Sequence, residues 1–214
     1  MFGRIAARYD LVNSLLSLGQ HRRWKRLAAE ACRVRAGGLA LDVCAGTGDI
    51  ALALSRRGAR AAALDFSAEM LAIGRRKARG GPALLVQGDA LALPFREGAF
   101  EAAAIGFSLR NVASVPRLLG EMRRVVRPGG WVVSLETSQP PSPLVRGLYQ
   151  AYLRGAAALA PVVSEGPAYR YLAETIFAFP AAEEVARMFR EAGLREVWFR
   201  RMLLGAVAIH AGRA

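Results

Sequence analysis

The chain has 214 residues, 30 Lys and Arg against 17 Asp and Glu for a net charge of +13, 53% hydrophobic residues and two cysteines. That length fits one domain with a buried core, the apolar fraction excludes intrinsic disorder, and Cys32 and Cys44 are too few to staple a chain this size. Apolar stretches such as 155–163 reach about half of the ~20 residues that span a bilayer, so no membrane-crossing helix is expected. The N-terminus carries charges with no apolar run behind them, which predicts no secretory signal and a cytoplasmic protein.

In chain order, a helical stretch over 11–33 precedes the first strand and is expected to cap the top of a sheet; residues 1–36 form this N-terminal cap. Short apolar runs at 39–45, 60–66, 83–90 and 100–107 then read as successive strands, separated by helical segments at 49–57 and 67–79 and followed by one at 115–126. In the last of these helices Val115, Leu118, Leu119, Met122 and Val126 share one face, and Pro128-Gly129-Gly130 supplies a stop and a turn. A fifth strand is expected at 131–137. The alternation then lapses over 138–180, a segment rich in proline and tyrosine that reads as an inserted helical lid. A helix at 181–192 and strands at 194–202 and 205–212 close the chain. So short a link between two strands forces them to be antiparallel. The expectation is a single α/β domain over 1–214: a Rossmann-like, seven-stranded, mostly parallel sheet with an antiparallel last strand.

The densest polar constellation follows the first strand, in Asp42-Val43-Cys44-Ala45-Gly46-Thr47-Gly48-Asp49. Gly46 and Gly48 allow a tight turn and a close backbone approach to a ligand. Asp42 and Asp49 would repel a pyrophosphate and suit a cationic ligand. Asp65 ends the second strand, where an acid can accept both ribose hydroxyls, and Asp89 ends the third in Gly88-Asp89-Ala90, where it can meet an adenine edge. Acids at the carboxyl ends of three adjacent strands beside a glycine loop fit S-adenosylmethionine, an adenosine with a sulfonium and no phosphates. Taken singly, Asp65 and Asp89 also suit the caps of helices that follow them. Cys44, in acidic surroundings, reads as a small buried residue, and His21 and His210 show no metal-ligand spacing.

Those segments, with Leu64-Asp65-Phe66-Ser67, Met70-Leu71 and Leu93-Pro94-Phe95, resemble the C-methyltransferases of menaquinone and ubiquinone biosynthesis. More specific are Tyr9-Asp10, Gly19-Gln20-His21-Arg22-Arg23-Trp24-Lys25, Leu109-Arg110-Asn111-Val112, Leu135-Glu136, Tyr169-Arg170-Tyr171-Leu172 and Phe179-Pro180. The resemblance covers nearly the whole chain. It departs at Thr137 and Gln139, where the family usually has Phe and Lys, and at Leu203-Leu204-Gly205, where Thr-Gly-Gly is usual. The resemblance implies cofactor contacts at Thr47, Asp65, Asp89 with Ala90, and Gly106. The expected cofactor set also includes Asp42, Gly46, Gly48, Phe66 and Met70.

It also implies methyl transfer from S-adenosylmethionine to the ring carbon of a polyprenyl quinol, a naphthoquinol such as demethylmenaquinol before a benzoquinol. Arg110 and Asn111 are then expected to stabilise the quinolate, with His21 and Tyr9 over the mouth of the site and His21 a candidate proton acceptor. A loop salt bridge to Asp10 or Glu136 is the competing role for Arg110, and a surface position the competing one for His21. No metal and no nucleic-acid partner are expected, and monomer and homodimer stay open. Other readings are a methyltransferase for another small molecule or RNA, or a basic binding module without chemistry. All but two of the basic residues are arginine, Lys25 and Lys77 being the exceptions. The excess suits transient association with an anionic membrane and equally a genome that favours arginine.

Overall fold

The computed structural model describes residue 17 and residues 19–77, 84–163 and 174–214, with 156–163 described by their backbone alone. Strands β1 (Leu39–Val43), β2 (Arg60–Asp65), β3 (Leu84–Gln87), β4 (Phe100–Gly106), β5 (Val126–Thr137), β6 (Arg195–Met202) and β7 (Val207–Arg213) form one sheet. Their order is β3-β2-β1-β4-β5-β7-β6. Only β7 runs antiparallel, against both β5 and β6, as the short link before it requires. The order reverses between β1 and β4, which opens a crevice at the carboxyl ends of these two strands.

The helices are α1 (His21–Ala31), α2 (Asp49–Ser55), α3 (Ala68–Lys77), α4 (Val115–Val125), α5 (Pro143–Val163) and α6 (Ala182–Glu191). Successive residues of a strand point to opposite faces, and here both faces are covered, so the strands read as unbroken apolar runs. Ala40, Ala61, Ala63, Ala102 and Ala104 line one face under α1 and α2, while Leu41, Leu64, Ala103 and Ile105 line the other under α4 and α6. The alanine face lets the helices sit close: Ala28 of α1 and Ala51 of α2 are fully buried against it.

Two expectations need correction. α1 does not lie across the top of the sheet; Trp24, Ala28 and Ala31 bury it in a face layer beside α2. The first part of that predicted helix, 11–16, lies outside the described residues. β5 starts at Val126, five residues early, because Val126 pairs with Phe100 before the register shifts to Ala102–Trp131. Pro128, which lacks an N–H, occupies this irregularity. Gly129 donates to the Ala214 carbonyl at 2.8 Å, and Ala214 donates back to Gly130 at 2.9 Å.

The segment after β5 is helical, in α5 and again over 174–178. Gln139 ties its return to the sheet, donating its amide to the carbonyls of Ile176 at 2.9 Å and Phe177 at 3.2 Å. The Tyr169–Leu172 motif lies outside the described residues. No helix among the described residues is long and apolar enough to cross a membrane.

Candidate active site

Cys44, Gly46 and Gly48 all have left-handed backbones, at φ 52°, 56° and 77°, which turns the chain sharply from β1 into α2. Glycine is also needed at 46 for room, since a Cβ there would sit 3.2 Å from the Met70 Cε. The Asp65 carboxylate fixes the turn by accepting the Gly46 N–H at 2.7 Å through one oxygen and the Ser67 N–H at 2.9 Å through the other. Thr47 is buried, and Gly74 of α3 lies so close that a Cβ would come within 3.1 Å of the Thr47 carbonyl.

The acids around this loop do different work. Asp42 is 1% exposed and accepts the Ala51 N–H of α2 at 2.9 Å. Burial pushes its carboxyl up to about 7, against the pull of that N–H and of Lys25. Asp49 meets Lys25 at 2.6 Å and also Lys77. Burial raises its carboxyl, but the two ammonium groups outweigh this and hold it at about 2. The chain's only lysines thus converge on one carboxylate from α1 and from the end of α3. The negative charge left open in the crevice is that of Asp65, half-buried, and Asp89, exposed. Asp89 accepts the Leu91 N–H at 2.8 Å, so both acids hold turns and keep acceptor positions in reserve. Phe66 between them is 79% exposed, Met70 and Ala90 are buried, and a Cβ on Gly106 would collide with the Ile50 Cδ1 at 2.6 Å. Burial and the nearby acids push the Cys44 thiol up to about 12, the inert state expected of it.

Across the crevice, Leu109–Asn111 forms a 3-10 turn after β4. The Arg110 guanidinium pairs through Nη1 with Glu136 of β5, with side-chain exposures of 7% and 0%. Glu136 also accepts the Thr137 N–H at 2.8 Å and its hydroxyl at 3.1 Å. The salt bridge weighed for Arg110 therefore exists, with Glu136 as its partner. It does not saturate the guanidinium, because Arg110 Nε is buried with no hydrogen-bond partner. Tyr149 of α5 feels both charges, and burial pushes its hydroxyl up to about 12. Asn111 is exposed. His21 is 4% exposed, not a surface residue, and its Nδ1 lies 2.9 Å from Ser17 Oγ. One turn on, Trp24 packs on Phe107 at 6.4 Å, which brings α1 to the rim of the crevice beside Gly106. Tyr9 lies outside the described residues.

His210 is far from this chemistry in role. It is 1% exposed, lies between Phe189 and Phe199, and donates Nε2–H to the Ala182 carbonyl at 2.9 Å. No group of three metal-ligating side chains occurs among the described residues. Tyr149 and the two lysines are the site residues that sequence reasoning did not single out, and Glu136 was weighed only as one of two partners for Arg110. Their signal was faint: a carboxylate inside a buried apolar strand, and the rarity of lysine.

Compared with known proteins, residues 1–214 match the ubiE/COQ5 methyltransferase family. The chain belongs to that family. It is 43% identical to a demethylmenaquinone methyltransferase of Thermus thermophilus, with 99% of each chain covered. It is 44% identical to another from Streptomyces avermitilis, covering 99% of this chain and 92% of that one. Against the ubiquinone/menaquinone biosynthesis C-methyltransferase UbiE of Paracoccus denitrificans the identity is 41%, over 99% and 88%. Among solved structures, a SAM-dependent methyltransferase from Thermotoga maritima superposes with a TM-score of 0.68 at 19% identity, over 99% and 97% of the two chains. The [4+2]-cyclase SpnF also reaches 0.68, at 20% identity, over 90% and 80%. The fold alone therefore does not choose the reaction.

Proposed function

We propose that the chain transfers a methyl group from S-adenosylmethionine to a ring carbon of a polyprenyl quinol, with demethylmenaquinol as the acceptor. The observation that carries this reading is the buried Arg110 guanidinium. Glu136 holds it in place, and one donor is left over at the carboxyl end of β4. Family relatives named for that substrate support it at 43% and 44% identity.

The crevice suits the cofactor. Asp65 and Asp89 have free acceptor capacity for ribose and adenine, Phe66 offers an open ring face, and the left-handed glycine turn admits a close backbone approach. Gly46, Thr47, Gly48, Met70, Ala90 and Gly106 line the same end of the sheet, and Asp42 acts from beneath by fixing the start of α2. When bound, S-adenosylmethionine supplies a methyl group activated by its sulfonium. The remaining tasks belong to the chain: to align the acceptor for in-line attack and to stabilise its developing oxyanion. Arg110 donates to the acceptor's ring oxygen while Glu136 keeps the guanidinium from swinging away, and Asn111 offers a second donor. His21 accepts the hydroxyl proton, its ring held by Ser17. α5, the described helix of the insertion, serves as a lid. The enzyme works on the cytoplasmic face of an anionic bilayer, where a polyprenyl tail resides.

Labelled S-adenosylmethionine offered with demethylmenaquinol, a demethylated benzoquinol or RNA tests the assignment. Label in the naphthoquinol is expected; label in RNA alone overturns it. Arg110→Ala is expected to lower kcat by about 10²-fold, the usual effect of losing one oxyanion donor. Full turnover with an unchanged pH profile would remove Arg110 from the mechanism.

A further inference from the structure

We infer that the outer stripe of α5 and the turn between β6 and β7 form the surface that seats the protein on an anionic lipid bilayer. The inference rests on the proposal that the acceptor is a membrane quinol, and it identifies where the membrane is met. Leu144, Leu148 and Tyr152 are 74%, 64% and 49% exposed. They stand four residues apart and so share one stripe of the helix. Leu203 and Leu204, at the turn, are 56% and 77% exposed. The two patches adjoin. A Cβ on Gly205 would lie 2.7 Å from Pro141, which leads directly into α5, and Ser138 donates to the Ala206 carbonyl at 2.9 Å.

The turn is also strained. Leu203 and Leu204 have φ of 47° and 55°, a region where bulky side chains are outliers and Gly or Asn is at ease. Two large aliphatic side chains held in water on a strained turn have no folding rationale, and a hydrocarbon phase supplies one.

Charge selects the occupant. The sequence of α5 holds Arg146 and Arg154 and no acidic residue. Arg200, exposed on β6 just before the turn, forms no ion pair among the described residues. With no acidic residue on α5, a second copy docked through this helix would bring positive charge to positive charge with no counter-charge on either side. An anionic leaflet matches both features: leucines enter the acyl region, Tyr152 lies at the headgroups, and the arginines reach phosphates. The neighbouring stripe of the same helix carries Tyr149 toward the Arg110–Glu136 pair. The quinol ring thus has one helix to cross from leaflet to crevice while its tail stays in lipid.

Sedimentation with phosphatidylcholine vesicles, with and without phosphatidylglycerol, tests this using two double variants. Leu144→Gln with Leu148→Gln keeps helix propensity. Leu203→Asn with Leu204→Asn suits the left-handed turn. Each pair is expected to weaken binding to the anionic vesicles at least tenfold and to lower kcat/KM on vesicle-embedded quinol in step. Turnover of a tail-less naphthoquinol in solution should stay at the parent level. Vesicle binding equal to the parent's overturns the inference, as does an equal loss on both substrates. So does a parent dimer that the glutamine pair dissociates, which would assign the face to a second copy. If the parent methylates neither quinol, the proposed reaction fails, and vesicle sedimentation alone decides the surface.

Discussion

At the scale of single residues, two buried groups titrate in opposite senses, and their effects on stability offset each other. Burial lowers the His210 imidazole from 6.5 to about 4, against the hydrogen bond to the Ala182 carbonyl. Burial raises the Asp42 carboxyl from 3.8 to about 7, against the Ala51 N–H. Between those limits the unfolded chain holds a proton on His210 that the folded chain lacks, so this residue makes stability rise with pH. The folded chain holds a proton on Asp42 that the unfolded chain lacks, so this one makes stability fall with pH. Each slope is about 1.4 kcal/mol per pH unit, and together they come close to cancelling. Single variants should unmask them in urea unfolding between pH 4.5 and 6.5 without cofactor. His210→Gln, which keeps a donor for Ala182, should lose stability as pH rises. Asp42→Asn, which keeps an acceptor for Ala51, should gain it. Parallel profiles for the two variants would mean that neither group carries the proton difference assigned to it.

At the scale of elements, the join of β4 to β5 decides whether the sheet's centre closes. A Cβ on Gly130 would lie 2.4 Å from the Glu101 carbonyl oxygen and 2.5 Å from Val126 Cγ1, both held by the strand pairing. Gly130→Ala should therefore cost about 3 kcal/mol in urea unfolding, an overpacking penalty with little room to relax. Gly120, inside α4 with nothing within 4 Å, is the control. Gly120→Ala should instead stabilise by about 1 kcal/mol through helix propensity and reduced freedom of the unfolded chain. The same region marks the limit of what the sequence discloses. The strands, the helices between them and the antiparallel last strand were legible because hydrophobic periodicity and link length are local. The start of β5 was not, because Pro128-Gly129-Gly130 spells a turn locally and becomes strand only through Phe100 and Ala214. α1 showed its apolar stripe but not which surface would receive it. At the site, the glycine turn and Asp65 could be read from spacing alone. The pairing of Arg110 with Glu136, 26 residues on, needed the alignment of two strands. The meeting of Lys25 and Lys77 on Asp49, from 24 residues before it and 28 after, needed the placement of two helices about the start of a third.

At the scale of the whole molecule, the charge of +13 divides into parts with different reach. Both lysines are spent on Asp49, and arginines such as Arg35, Arg187 and Arg213 are offset by Glu101, Glu184 and Glu196. Exposed pairs of this kind add little to stability, yet they cancel the field they would otherwise project. Among the arginines that remain are Arg146 and Arg154 on α5 and Arg200 near the end of β6, opposed in sign to the open acids Asp65 and Asp89 in the crevice. Salt separates the two. The attraction of an arginine-bearing face to a charged leaflet acts over a Debye length, ~10 Å at 0.1 M and ~3 Å at 1 M ionic strength. Contacts made by Asp65 inside the crevice are shorter than either and partly sheltered from solvent. Raising the ionic strength should therefore release the protein from anionic vesicles and slow methylation of embedded quinol, while turnover of a tail-less quinol in solution changes by less than about twofold. A genome that merely favours arginine makes the opposite forecast for the first measurement. In that case vesicle binding is weak at low salt and indifferent to added salt, and the basic excess has no membrane to answer to.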